Sequence, residues 1–368
     1  MIKIAKMEAF AISVPLKSPV KMASVVISTA DNLIVRITDQ DGNIGWGEGA
    51  SAPTMTGETP ESMVAAAKHM MPDLVGTDIG DLKDLHHKLD RLIYGNHGSK
   101  AAIDMALHDL LGKRTGKPLY ELLGGKVRDD VPIITMVAGG DLETEIANAR
   151  AQAAQGFFAF KVKVGVNPPA RDLERARAIR DAVGPDARIS ADANQGYSNQ
   201  DALVFSEGAG QARLDFMEQL VMGDDLAGMA ACAKASNVPL GADEGFHAMR
   251  DILAHHECGA ARGGSLKTIK LGGLWPVVEA ARRMDQLGMS VNLAGKVADT
   301  SIASSAIAHL ALALPQVNWD ASVTNQYLAD DVVVEPLRIV EGRMRPLDGP
   351  GLGIVVDEAK LAKYKTIG

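Results

Sequence analysis

The stretch FAFKVKVG, Phe158 to Gly165, reads as a buried strand that carries two lysines. Successive side chains of a strand alternate between its faces, so Lys161 and Lys163 share one face while Val162 takes the other. Two ammonium groups in one apolar environment repel each other and lose their hydration, an arrangement tolerated only beside anions. The strand therefore predicts a pocket that collects negative charge.

Outward from this strand, short apolar runs alternate with helical segments. VPIITMV begins at Val131, ARISADAN at Ala187, LDFMEQL at Leu214, VPLGADE at Val238, SLKTIKL at Ser265, MSVNLAG at Met289 and QVNWD at Gln316. With FAFKVKV these make eight runs, spaced roughly every 24 to 30 residues, the length of one strand, one helix and two short loops; they predict an α/β fold, a closed parallel (β/α)8 TIM-like barrel. An open doubly wound sheet is the alternative. No glycine-rich dinucleotide or phosphate loop follows any of these strands, and the even count of eight favours closure.

Upstream, IKIAKMEAFAI and NLIVRITDQDGNIGWGE read as strands around an Asp41-Gly42 hairpin turn. TPESMVAAAKHMMPDL opens with Thr59-Pro60-Glu61, and SKAAIDMALHDLLGKRTG places apolar residues at helical spacing before Gly116. The expected division is an α+β region over 1–125, the barrel over 126–320, and a loop-rich segment over 321–368 that packs back on the first region.

Active-site groups of such barrels sit at the C-terminal ends of the strands. There the third run ends in Asp192 with Asn194, the fourth in Glu218 with Gln219, the fifth in Asp243 with Glu244, and the sixth contributes Lys267. A single acid at a strand end is ordinarily a helix cap. Three on consecutive strands, beside buried lysines, predict instead a hard divalent ion such as Mg²⁺ or Mn²⁺, held by Asp192, Glu218 and Asp243 with Asn194 and Glu244 behind them. Lys270 differs from Lys267 in strand parity and reads as a solvated or helix-associated charge. None of the nine histidines ends a barrel strand, so they read as structural or exposed.

The second and sixth strands stand four apart in an eight-strand ring, so Lys163 and Lys267 are expected to face each other across the barrel mouth, with the acids on the arc between them. A substrate carboxylate on that arc has its α-carbon flanked by a lysine on each side. This predicts abstraction of the α-proton to give an enediolate, stabilised by metal and ammonium groups, with Lys161 as a further cation beside Lys163. A non-catalytic barrel that binds a small carboxylate is the alternative from a different class.

Composition agrees with a small-molecule enzyme. The 368 residues are 46% hydrophobic and 23% charged, with a formal charge of −8 and no basic stripe, which argues against nucleic acid. No apolar run approaches the roughly 20 residues that span a bilayer, and the N-terminal residues lack a signal-peptide pattern, so a cytoplasmic location away from membranes is expected. Two cysteines, Cys232 and Cys258, are too few for a disulfide framework.

Taken in order, FKVKVG, ADAN, FMEQ, GADEG and LKTIKLGG resemble the motifs of the enolase superfamily, in its muconate-lactonizing-enzyme (muconate cycloisomerase) subgroup of the mandelate racemase/muconate lactonizing enzyme family. The resemblance covers essentially the whole chain. It implies Lys161, Lys163 and Lys267 as catalytic groups, Mg²⁺ on Asp192, Glu218 and Asp243, and a homo-oligomer. It also implies a capping domain, built from the N-terminal region and the tail, whose loops near residues 18–28 and 50–58 close over the substrate. The mandelate-racemase subgroup places a histidine at the end of the seventh strand, where this chain has VNLAGK. The muconate enzymes usually carry a glutamate where this chain has Asp299, and Lys296 adds an unexpected cation. Lys296 pairs with Asp299 or meets a distal anionic group of the substrate; both residues are candidates for substrate binding. Cycloisomerases, racemases, epimerases and dehydratases share this catalytic set, so it does not separate them.

Overall fold

A computed structural model describes residues 1–21, 26–138 and 140–368. The chain begins with three antiparallel strands, β1 (Ile4–Lys21), β2 (Val26–Asp39) and β3 (Ile44–Ala50), followed by helices α1 (Pro60–Leu74), α2 (Leu82–Leu92) and α3 (His97–Thr115). The β2–β3 turn forms as the Asp41-Gly42 pair predicts. Gly42 takes a φ of +85°, and Asp39 Oδ1 accepts from the backbone N–H of Asp41 at 2.9 Å and of Asn43 at 2.8 Å. On β3 the glycines fall at alternate positions. A Cβ on Gly45, Gly47 or Gly49 would collide with the backbone of α3, so these three let the helix lie directly on the strand. Trp46 and Glu48, between them, belong to the opposite face.

After the short helix α4 (Leu119–Leu122) comes the barrel. VPIITMV divides into β4 (Val131–Pro132) and β5 (Ile134–Val137). Then follow α5 (Leu142–Ala154), β6 (Ala159–Lys163), α6 (Pro169–Val183), β7 (Arg188–Asp192), α7 (Asn199–Gly208), β8 (Phe216–Glu218), α8 (Leu226–Ala235), β9 (Leu240–Ala242) and α9 (Met249–Glu257). The second half contains β10 (Gly263–Leu266), α10 (Thr268–Leu271), α11 (Leu274–Gln286), β11 (Ser290–Ala294), α12 (Ser301–Ala313) and β12 (Ala321–Ser322). Strands β5 to β12 form one parallel eight-stranded sheet in chain order, and a parallel bridge between Ile133 and Ala321 joins its two ends. The closed alternative is therefore the one adopted. Phe160 and Val162 share a buried core with Ala149 of α5 and with Ala176 and Ile179 of α6, which leaves the lysines on the other face of β6.

Two strands differ from expectation. The sixth begins at Gly263 and ends at Leu266, so Lys267 stands just beyond it; a Cβ on Gly263 or Gly264 would strike Trp319 or Phe246, and such small residues do not read as an apolar run. The eighth is Ala321–Ser322 rather than QVNWD. Trp319 instead stacks on Phe216 with ring centroids 4.3 Å apart, so the apolar residues of that run serve packing before the strand starts.

In the tail, β13 (Ile339–Val340) and β14 (Arg343–Met344) form a small sheet with β4, and after α13 (Glu358–Tyr364) the last strand, β15 (Lys365–Ile367), pairs with β1. Among the described residues no helix is long and apolar enough to cross a membrane.

Candidate active site

The register of the barrel brings the acids to the same end of the sheet. Lys163 lies opposite Asp192, Asp192 opposite Glu218, and Glu218 opposite Gly241, two residues before Asp243. Parallel strands thus deliver three carboxylates from consecutive strand ends, with the two lysines of β6 alongside. Lys161 donates to Glu218, and Lys163 donates to Asp192 Oδ2 at 2.6 Å and to Asn194 Oδ1 at 2.7 Å. Across the ring Lys267 donates to Asp243 Oδ2.

Lys270 is helix-associated, on α10, but it is not solvated. It is fully buried and donates to Asp243 Oδ1 at 2.6 Å, to the Asp243 carbonyl and to the Ser265 carbonyl at 2.9 Å. The turn of helix that follows β10 rotates it inward, where strand alternation had left it solvated. His97 of α3 holds that turn through Nδ1, which bonds the Lys270 carbonyl at 2.5 Å. Ser265, also unrecognised in the sequence, donates to Glu218 beneath the site.

Electrostatics follow from this packing. Burial alone would lower Lys161, but Glu218 and Asp192 raise it above the ordinary lysine value and keep it an ammonium. Lys267 behaves alike, with burial opposed and overcome by Asp243, Glu244 and Glu218. Against the effect of burial, Lys267 and Lys270 hold the Asp243 carboxyl well below the usual range. Glu244 goes the other way. Burial, then the Asp243 and Asp192 carboxylates, push it up to about 7; its Oε1 accepts from Asn194 at 3.1 Å, while Oε2 is buried with no partner among the described residues.

Lys161, Lys163, Asp192, Asn194, Asp243, Glu244 and Lys267 line one cavity of about 570 Å³, large enough for a small organic acid. Glu218 lies buried below it. Among the described residues no three acidic, histidine or cysteine side chains already converge as a cation cage; the carboxylates are turned to lysines. The donor chemistry nevertheless suits a hard divalent ion, with three carboxylates at the ends of consecutive strands and an unpartnered buried oxygen of Glu244 next to them.

The comparisons with known proteins fit this arrangement. Residues 5–124 match the family described as Mandelate racemase / muconate lactonizing enzyme, N-terminal domain, and residues 145–360 match Enolase C-terminal domain-like. The chain belongs to the enolase superfamily, in its muconate-lactonizing-enzyme subgroup.

Relatives in this superfamily are isomerases, and so is this member. An N-succinyl-L-Arg/Lys racemase of Bacillus cereus is 33% identical, covering 98% of this chain and 97% of its own. A chloromuconate cycloisomerase of Pseudomonas putida is 31% identical over 100% of both chains, and an L-Ala-D/L-Glu epimerase of Bacillus subtilis is 31% identical over 96% and 97%. The crystal structure of muconate lactonizing enzyme from Pseudomonas fluorescens complexed with muconolactone superposes with a TM-score of 0.95 at 29% identity, covering 99% of this chain and 100% of that one. Identities so close together do not choose between cycloisomerisation and inversion.

The superfamily member's cavity continues toward the N-terminal region. Val26, Ile27, Ser28 and Ala52 to Met55 line it, which places parts of both expected covering segments there; residues 22–25 of the first lie outside the described residues. Lys296 also lines the cavity. Asp299 sits behind it, fully buried, its Oδ2 accepting the Lys296 backbone N–H at 3.0 Å. No ion pair joins the two side chains among the described residues. Burial, then nearby Glu48, push the Asp299 carboxyl well above its ordinary value.

Proposed function

We propose that this protein is a divalent-metal-dependent isomerase that removes and returns the proton α to a substrate carboxylate. The observation that carries the reading is the pair of lysines on β6 and just after β10, four strands apart in one ring and lining one cavity. Asp192, Glu218 and Asp243 would hold Mg²⁺ or Mn²⁺, which when bound would draw electron density from the substrate carboxylate and acidify its α-carbon. Lys163 and Lys267 act on opposite faces of that carbon. One accepts the proton and the other supplies it, while Lys161 adds positive charge beside the developing enediolate. Asn194 and Glu244 orient the acids.

Lysines on both faces suit inversion, so racemisation or epimerisation of an amino-acid derivative is the first reading. Cycloisomerisation is the second, favoured by Lys296, a cation in the cavity free to meet a second carboxylate on a dicarboxylic substrate. In either case the region 1–125, joined by the tail, caps the barrel, whose boundary moves from the expected 320 to Ser322 because the eighth strand is Ala321–Ser322, and the enzyme works in the cytoplasm as a homo-oligomer. A turnover screen of N-acylated amino acids and unsaturated dicarboxylates with Mg²⁺, repeated after chelation, tests the proposal. Activity on one class that chelation abolishes is expected; activity indifferent to chelation would refute it.

A further inference from the structure

Glu48 is a fully buried carboxylate with no lysine or arginine among its hydrogen-bond partners in the described residues. Its Oε1 accepts from Asn32 Nδ2 at 2.5 Å and from the Thr300 N–H at 2.9 Å; Oε2 accepts from Thr300 Oγ1 at 2.7 Å and from the Ala303 N–H at 2.8 Å. A strand of the N-terminal sheet thus caps the first turn of α12, where free N–H groups and the helix dipole favour an anion. Burying a carboxylate without a counter-cation is costly, and a neutral side chain would join two elements at less expense.

The position of this contact suggests its use. Asn32 Nδ2 also donates to the Ala298 carbonyl at 3.0 Å. The segment between the end of β11 and α12 is therefore gripped by Asn32 at Ala298 and by Glu48 at Thr300. From the barrel side, Thr324 Oγ1 donates to the Lys296 carbonyl at 2.7 Å and accepts the Asp299 N–H at 2.9 Å. Lys296 stands at the cavity end of this braced turn. The strand that supplies Asn32 also supplies Ile27, Ser28 and Thr29 to the cavity wall.

We infer that Glu48 and Asn32 are positioning residues for substrate selection: they fix the Lys296 turn against the covering strands, so that Lys296 meets a second anionic group of the substrate. The inference rests on the reading of Lys296 given above. Neither residue touches the reacting carbon; both act through Lys296.

The test compares two acids of equal length, adipate with two carboxylates and hexanoate with one, bound to the full-length protein with Mg²⁺ and followed by calorimetry. Wild type should bind adipate about ten-fold tighter, the scale of one charge-assisted contact. In Glu48→Gln and in Asn32→Ala that preference should fall below about two-fold, with hexanoate affinity held within about two-fold. Lys296→Met should lose the preference too, and Lys296→Met combined with Glu48→Gln should lose nothing more. Asn32→Ala carries the test if Glu48→Gln does not fold. Should Lys296→Met lose the preference while both other variants keep it, or should they weaken both acids alike, the positioning role is wrong. If wild type shows no preference, or Lys296→Met retains it, the distal-anion reading fails and the inference falls with it.

Discussion

Lys267 and Lys270 hold one carboxylate between them: Lys267 binds Oδ2 of Asp243, and Lys270 binds Oδ1 at 2.6 Å from the short helix behind it. Removing one partner of a buried ion pair leaves the other charge uncompensated, at a cost of about 3 to 5 kcal/mol. Lys270→Met should therefore lower unfolding free energy in urea by about 3 kcal/mol. A loss under about 1 kcal/mol would mean that Lys267 alone satisfies Asp243.

The metal reading makes a separate demand. Asp192→Asn, Glu218→Gln and Asp243→Asn should each weaken Mg²⁺ binding at least about ten-fold by calorimetry, because each removes a charged oxygen donor from a small set. Unchanged affinity in any one variant would remove that residue from the ligands.

His309 gives the fold an acid-sensitive point. It is buried on α12, stacks on Tyr120 at 5.6 Å between centroids, and accepts the Tyr120 N–H on Nδ1 at 3.3 Å. Burial lowers it to about 4, below the ordinary 6.5. The unfolded chain thus binds this proton first as pH falls. The neutral histidine's contribution is complete above about pH 6.5 and is lost progressively toward pH 4, on the order of 3 kcal/mol in total. His309→Gln should flatten that portion of the stability curve; a wild-type curve that the variant reproduces across this window would refute the assignment.

Gly47 tests the packing of the N-terminal sheet. A Cβ there would overlap the backbone of α3 at Ala102 and Ala106, which cannot move as a flexible side chain could. Gly47→Ala should cost about 1 to 3 kcal/mol, and Gly42→Ala, whose Cβ meets open space, should cost less despite its positive φ. The opposite order would place α3 wrongly.

Much of this was legible because strand periodicity is local. FAFKVKVG announces its lysine face in eight letters, and ADAN, FMEQ and GADEG end their strands in acids that the parallel sheet gathers at one end. What the sequence concealed depends on geometry between elements. Lys270 read as solvated or helix-associated because strand parity stops at Leu266; the helical turn that begins there holds it, and its burial against Asp243 was not legible. QVNWD looked like a strand because Val317 and Trp319 are buried, though in loop packing. Glu48 sits in a glycine-rich strand that shows no trace of Thr300, its partner 252 residues away.

The most direct measurement follows α-proton exchange in deuterated water for each stereoisomer of a chiral carboxylate turned over by wild type, in Lys163→Ala and in Lys267→Ala. Wild type should incorporate deuterium from both stereoisomers and interconvert them. Each variant should lose net inversion and retain exchange from one stereoisomer only, opposite for the two, since each remaining lysine reaches a single face. Full inversion by Lys267→Ala, or exchange of both stereoisomers by either variant, would contradict the two-lysine site.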